Sequence, residues 1–228
     1  GIDSPNSNKN NIQSVRPIRA FGNWTMGCMD ESACNFNPNA NMADGSCEYP
    51  EQGYDCDGSI IPYVGLEAFG GIVFYYDSIG EYGLIVANSV IGNYEWGCFS
   101  LDLPEGDNID IGLGYQNTLN IVNQNCLTQN GDISAASAAL NYAIEGYNDW
   151  YLPSKTELQE IFETVAGTFP CNPDNGCAYW SSSEFDNNTA WANDFYNAQE
   201  WNNNKNNPIA LIPIRAFGNW TMGCMDSL

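Results

Sequence analysis

One fourteen-residue string, PIRAFGNWTMGCMD, occupies Pro17–Asp30 and occurs again at Pro213–Asp226. Upstream of it, Asn8-Lys9-Asn10-Asn11 recurs as Asn204-Lys205-Asn206-Asn207 at the same offset of 196 residues. Chance does not keep so long a string at constant spacing, so 196 is the period of an internal repeat. One period suffices for a single domain with its own core plus a small module. The visible chain is then a little more than one period, expected to be cut from a tandem array or built to link into one. Residues 1–22 are expected to be the closing strand of a preceding repeat or a neighbouring subunit, with Ile12, Val15, Ile18 and Phe21 along it. Residues 23–58 form a linker module, 59–217 the main domain, and 218–228 the start of the next linker.

The repeat also explains the cysteine count. Nine is odd, but Cys224 is the next period's copy of Cys28. One period therefore holds Cys28, Cys34, Cys47, Cys56, Cys98, Cys126, Cys171 and Cys177. An even set at dispersed spacings points to disulfides and an oxidising, extracellular compartment. Zinc would want CxxC pairs or histidine, and the chain has neither. Cys171 and Cys177 bracket Asn-Pro-Asp-Asn-Gly, a turn composition that suits a local bridge.

Residues 27–57 carry four cysteines and little aliphatic content, so this module needs covalent staples in place of a core. Its polar ladder, Asp30, Asn35, Asn37, Asn39, Asn41 and Asp44, supports two readings. The oxygens are of the kind that hard Ca²⁺ prefers, although the EF-hand pattern is not met. Asn and Asp at such spacing also build chains of turns by bonding their own backbone.

Hydrophobic residues at 43% place the chain among globular proteins. With 28 acidic residues, 6 basic ones and no histidine, the net charge is −22. That surface repels nucleic acid and anionic membrane, and it attracts cations or serves solubility in a salty medium. No apolar run reaches the ~18 residues of a membrane helix, and any signal peptide is expected outside this stretch.

In the main domain, Ile72–Tyr76 and Leu84–Ala87 read as strands of a hairpin. A short helix is expected over Gln116–Asn125, and an alanine-rich one over Ser134–Glu145 with Gly146 as its C-cap. Ser154-Lys155-Thr156-Glu157 is a capping box, followed by Leu158, Ile161, Phe162 and Val165 along one apolar stripe. A strand over Asp149–Leu152 should precede it. Short aromatic strands follow at Tyr179–Ser182, Ala190–Tyr196 and Ile209–Phe217, with Asn-rich tight loops between them.

Taken in order, GGIVFYY, WGC, QNTLNIVNQNC, GYNDWYLPSKTELQEIF, AYWSSSE and PIRAF resemble the bacterial extracellular domain at the C-terminus of a collagen-like adhesin. LPSKTEL and the terminal I-R strand are more distantly similar to the formylglycine-generating branch of the C-type-lectin-like superfamily. Residues 27–47 resemble the GCxDxxACNxNPxAxxxDGSC spacer of large tandem-repeat surface proteins. The resemblance implies an α+β fold: a C-type-lectin-like domain with two to three helices on a small twisted antiparallel sheet, beside the disulfide-rich linker. It also implies a Cys98–Cys126 disulfide. Cys28, Cys34, Cys47 and Cys56 then pair among themselves in one of three ways.

A catalytic set is missing. Without histidine the hydrolase triads are excluded. Ser181, Ser182 and Ser183 lack an evident base, and carboxylates such as Asp149 and Glu157 pair cheaply in so acidic a chain. Trp191, Asn193 and Asp194 are reminiscent of the Trp-Asn-Asp calcium motif of sugar-binding lectins. One inserted residue sets Asn193 and Asp194 on opposite faces of a strand. Trp150, Trp180 and Trp191 could stack sugars or fill a core. The expectation is a non-catalytic structural and adhesive repeat unit of an extracellular bacterial fibre or giant surface protein, joined to neighbouring copies of itself. The alternative is a multivalent glycan-binding module.

Overall fold

The computed structural model describes residues 16–19, 21–77, 82–103, 106–169, 177–197 and 199–218. The chain divides into two compact units between Ile60 and Ile61.

The first unit has little apolar filling. Among its described residues only Cys28 and Ala33 are buried apolar side chains. Two short strands, β1 (Met26–Gly27) and β2 (Met42–Ala43), run parallel in register Met26–Met42. Disulfides Cys28–Cys47 and Cys34–Cys56 choose one of the three open pairings. Between them the chain turns on its own side chains. Asp30, Asn37 and Asp44 accept from the N–H groups of Ser32, Asn39 and Ser46, each two residues on. Asn35 clamps a longer loop, accepting from Glu48 N and donating to Ser46 O.

The strand expected over Ile12–Phe21 is not formed where it is described. Residues 16–19 and 21 have no regular structure, and Ile18 and Phe21 are 98% and 89% exposed. A lone extended segment needs a neighbour for its backbone groups, and among the described residues no strand pairs with it; Phe21 O accepts from Trp24 Nε1 at 2.7 Å. Ile12 and Val15 lie outside the described residues.

The second unit is α+β, and it has two sheets where one was expected. Strands β3 (Glu67–Ala68), β4 (Gly71–Tyr76) and β5 (Tyr82–Ala87) begin the first sheet as an antiparallel set. Both faces of β4 and β5 are covered, which is why their apolar residues run on without alternation. Ile72, Phe74, Leu84 and Val86 face one cluster, and Val73, Ile85 and Ala87 another around Trp150. Gly71 permits the close pairing, since a Cβ there would strike the Val86 carbonyl.

After the two-residue β6 (Asn93–Tyr94) come α1 (Gly114–Asn123), α2 (Ala135–Leu140) and α3 (Lys155–Val165). Helix α3 begins at the predicted capping box, and Leu158, Ile161 and Val165 are buried against the first sheet. Helix α2 stops five residues before its expected end. Tyr142 leaves the helix to set its ring edge-on to Trp150, 5.4 Å between centroids, and Ile144 packs in the same cluster. Gly146, expected as a C-cap, serves instead in the turn that bridges Ile144 and Tyr147.

Strands β7 (Ala178–Glu184), β8 (Thr189–Asp194), β9 (Gln199–Asn204) and β10 (Ile209–Ala210) complete the second sheet in the order β6-β10-β7-β8-β9, with β10 parallel to β7. Finally β11 (Ile214–Gly218) returns to the first sheet beside β5. The single strand expected over Ile209–Phe217 is thus split. Leu211 enters the cluster of the second sheet and Ile212 that of the first, so the chain crosses between layers there. Strand β9 was expected as an Asn-rich loop; pairing with β8 overrides the poor strand propensity of asparagine. The strand expected over Asp149–Leu152 is reduced to one bridge, Tyr151 to Ile214.

Candidate functional site

Motif residues that invited a catalytic reading turn inward. Ser181, Ser182 and Ser183 are fully buried. Their hydroxyls donate to the carbonyls of Trp191, Pro153 and Asn108 at 2.9, 3.1 and 2.7 Å. Ser183 Oγ also accepts from Lys155 N at 3.0 Å, so this cluster ties β7 to β8 and to the start of α3.

Glu157 is fully buried, and its two oxygens accept from Gly112 N at 2.7 Å and Ser154 N at 2.6 Å. Gly114 makes room for it, because a Cβ there would collide with Glu157 Oε2. Burial pushes its carboxyl up to about 7, against the pull of these N–H groups. The folded value lies above the ordinary 4.5, so folding favours the protonated form. That contribution is full below about pH 4.5 and is lost as pH rises through about 7. Glu157→Gln is expected to flatten the fall in urea stability between these limits, at a fixed cost of about 1–3 kcal/mol for the acceptor it lacks. An undiminished slope in the variant would rule this out.

Asp149, the other carboxylate weighed for acid–base work, is held by Arg215. Nε and Nη2 reach its two oxygens at 2.7 and 2.9 Å. The guanidinium lies 4.1 Å from the Tyr147 ring centroid and donates to Phe69 O at 3.2 Å. This fork joins β11 to the loops before β4 and α3.

A second ion pair went unread in the sequence. Lys205 Nζ donates to Glu184, and both side chains are buried at 0% and 2% exposure. Lys205 also donates to Leu101 O at 3.0 Å and lies 4.8 Å from the Trp96 ring centroid. Burial lowers the Lys205 pKa and raises that of Glu184. The available signal was a lysine between asparagines in a chain with only 6 basic residues.

The lectin-like residues divide as the strand period requires. Asn193 is buried and donates to Gln159 Oε1 at 2.6 Å, while its Oδ1 has no hydrogen-bond partner among the described residues. Asp194, on the opposite face, accepts from Tyr196 N at 2.9 Å and Asn197 Nδ2 at 2.8 Å. Trp150 and Trp180 are wholly buried and belong to the core. Trp191 is half-buried. Phe185 stands edge-on to it at 5.0 Å, and Lys155 Nζ lies 4.6 Å from its centroid while pairing with Glu200 at 2.7 Å. These four side chains form a polar-rimmed aromatic ledge. A cleft lined by Tyr94, Glu95, Asn130, Asp132 and Pro208 lies beside β6, the other edge strand of this sheet.

Five of the six ladder residues accept from backbone N–H groups of the module itself. Besides the turns of Asp30, Asn35, Asn37 and Asp44, Asn41 accepts from Thr25 N at 2.9 Å. Asp30 Oδ2 accepts from the Tyr49 hydroxyl, which with Ser32 holds its carboxyl below the usual range. Among the described residues no cluster of three or more His, Cys, Asp or Glu side chains is placed to hold a metal ion. Cys98 and Cys126 are bonded, joining the WGC turn to the end of α1. Cys177 is also disulfide-bonded, and its expected partner Cys171 lies outside the described residues.

Residues 109–215, slightly under half of the chain, match the family model described as the Lcl C-terminal domain. The matched stretch contains the capping box, the serine cluster, all three ion pairs described above and the ledge. No curated protein matches the chain. The match and the disulfides fit an adhesin-type domain and an extracellular location.

Proposed function

We propose, taking the match of residues 109–215 to the Lcl C-terminal domain as the premise, that this chain is a non-catalytic building block of an extracellular fibre or giant surface protein. One observation carries the reading: the polar motif side chains are committed to bonds that fasten loops and layers together. Glu157, Glu184, Asp149 and the three serines all have such partners. The domain is braced to bear load, with a C-type-lectin-like plan whose chemistry has been turned to structure. Its neighbours are further copies of itself. Electron microscopy of the native material should show beads at a regular spacing. Dispersed monomers that turn over a substrate would overturn the proposal.

A second reading rests on the ledge. Trp191 offers an aromatic face to a sugar ring, and Lys155 and Glu200 beside it offer hydrogen bonds. Many weak sites in an array would add up through avidity. A glycan array probed in calcium and in chelator tests this. Binding that falls at least tenfold in Trp191→Ala supports it, and silence across the array removes it.

A further inference from the structure

Strand β9 ends the second sheet, and among the described residues no strand pairs with its outer edge. Which of its backbone groups face outward follows from the parity of an antiparallel ladder, in which alternate residues bond to the neighbour. Lys205 N donates to Asn188 O at 2.9 Å, one step beyond the Thr189–Asn204 pair. Gln199, Trp201 and Asn203 therefore bond to β8, and Glu200, Asn202 and Asn204 turn their N–H and C=O outward. Asn204 is already satisfied: its N donates to Asn203 Oδ1 and its O accepts from Asn207 N, both at 2.9 Å. Glu200 and Asn202 are left, and both are exposed. Sheet edges are commonly protected from pairing by lysine, proline or a bulge. Gln199–Asn204 carries neither residue, and its register with β8 is unbroken.

We infer that β9 is a dimerisation edge, which pairs antiparallel with β9 of a second copy about a two-fold axis at Trp201. In that register Glu200 exchanges both of its backbone hydrogen bonds with the partner's Asn202, and Asn202 does the same with the partner's Glu200. The neighbouring registers fail. Glu200 opposite the partner's Glu200 sets like charges face to face. Asn202 opposite the partner's Asn202 aligns Glu200 with the partner's Asn204, whose backbone groups are taken. Charge favours this edge too. In a chain of net charge −22 the strand holds one acid, Glu200, and Lys155 pairs with it at 2.7 Å. Trp201, half-buried, meets its own counterpart on the axis. That is a non-hydrogen-bonded position, where Cα atoms approach to about 4.5 Å and aromatic side chains stabilise each other. The contact is isologous and closed, so it joins two copies side by side and stops. It differs from any serial linkage of units in a fibre, and in an array many such weak contacts would bundle two strings of units together.

Sedimentation equilibrium of the full chain over a range of concentrations tests this. The wild type should associate reversibly toward twice its monomer mass. Asn202→Pro removes an outward N–H and leaves the β8 ladder intact, since an edge strand tolerates proline at such a position, and it should weaken the dimer about tenfold. Side-chain changes at the exposed Asn202 give a second reading that does not depend on how proline is tolerated. Asn202→Glu places an acid opposite the partner's Glu200 and should weaken the dimer about fivefold. Asn202→Lys places a base there and should tighten it by about the same factor at low salt. A wild type that stays monomeric up to millimolar concentration overturns the inference. So does association untouched by Asn202→Pro, or Glu and Lys variants that shift it in the same direction. None of these results bears on the reading as a fibre unit, which stands or falls on regular spacing in the native material.

Discussion

Lys205→Met, in a chain that keeps Glu184, is expected to destabilise the second unit by roughly 3–5 kcal/mol, because it strands a carboxylate in the interior. Glu184 cannot turn to water: it is 2% exposed and one oxygen is engaged by Leu103 N at 2.8 Å. Loss of the ammonium also leaves Leu101 O without its donor. The Lys205→Met, Glu184→Leu double variant should recover part of the loss, since an apolar pair of similar volume avoids the buried charge. It should not recover everything, because Leu103 N then lacks an acceptor at a cost of about 1–3 kcal/mol. Urea unfolding followed by tryptophan fluorescence measures both chains, Trp96 lying beside the pair. A single-variant loss below about 1 kcal/mol would mean that water already reaches this lysine.

Thiol reduction is expected to separate the two units. Residues 26–56 should unfold outright, while the domain of β3–β11 survives with reduced stability. On the chain-entropy argument, the Cys28–Cys47 and Cys34–Cys56 bridges each contribute about 3.3 kcal/mol and the Cys98–Cys126 bridge about 3.6 kcal/mol. Against the loss of its two bridges the first unit has only Cys28 and Ala33 buried among its described residues. The second unit has three apolar clusters. Limited proteolysis in reductant, read by mass spectrometry, should give cuts confined at first to residues 26–56. Cleavage that begins inside the α3 region would contradict this order of stability.

Elements whose information lies within a few residues were legible from the sequence. Ser154 and Glu157 satisfy each other's end of the first turn, so α3 was readable at its first residue. The β4–β5 hairpin was readable because its apolar residues are consecutive, though its turn at residues 78–81 lies outside the described residues. The polar ladder was half legible. Both readings of it need the same oxygens, and only their partners in space favour turns. Strand β9 was missed because its asparagines carry no local strand preference; β8 supplies the pairing. The ledge was found through Trp191, but Lys155 and Glu200 lie 45 residues apart and meet only across the fold.

By itself the sequence determined the recurrence of one fourteen-residue string at an offset of 196 residues, the nine cysteines and the excess of acid, since these are properties of the string and need no geometry. The tertiary structure alone decided which cysteines of the module pair, where Ile209–Phe217 breaks between two sheets, and which charges are buried as partners. Each of those outcomes depends on segments far apart in the chain arriving at one place. Such arrivals are chosen by the packing of the whole core, which no short window of residues encodes.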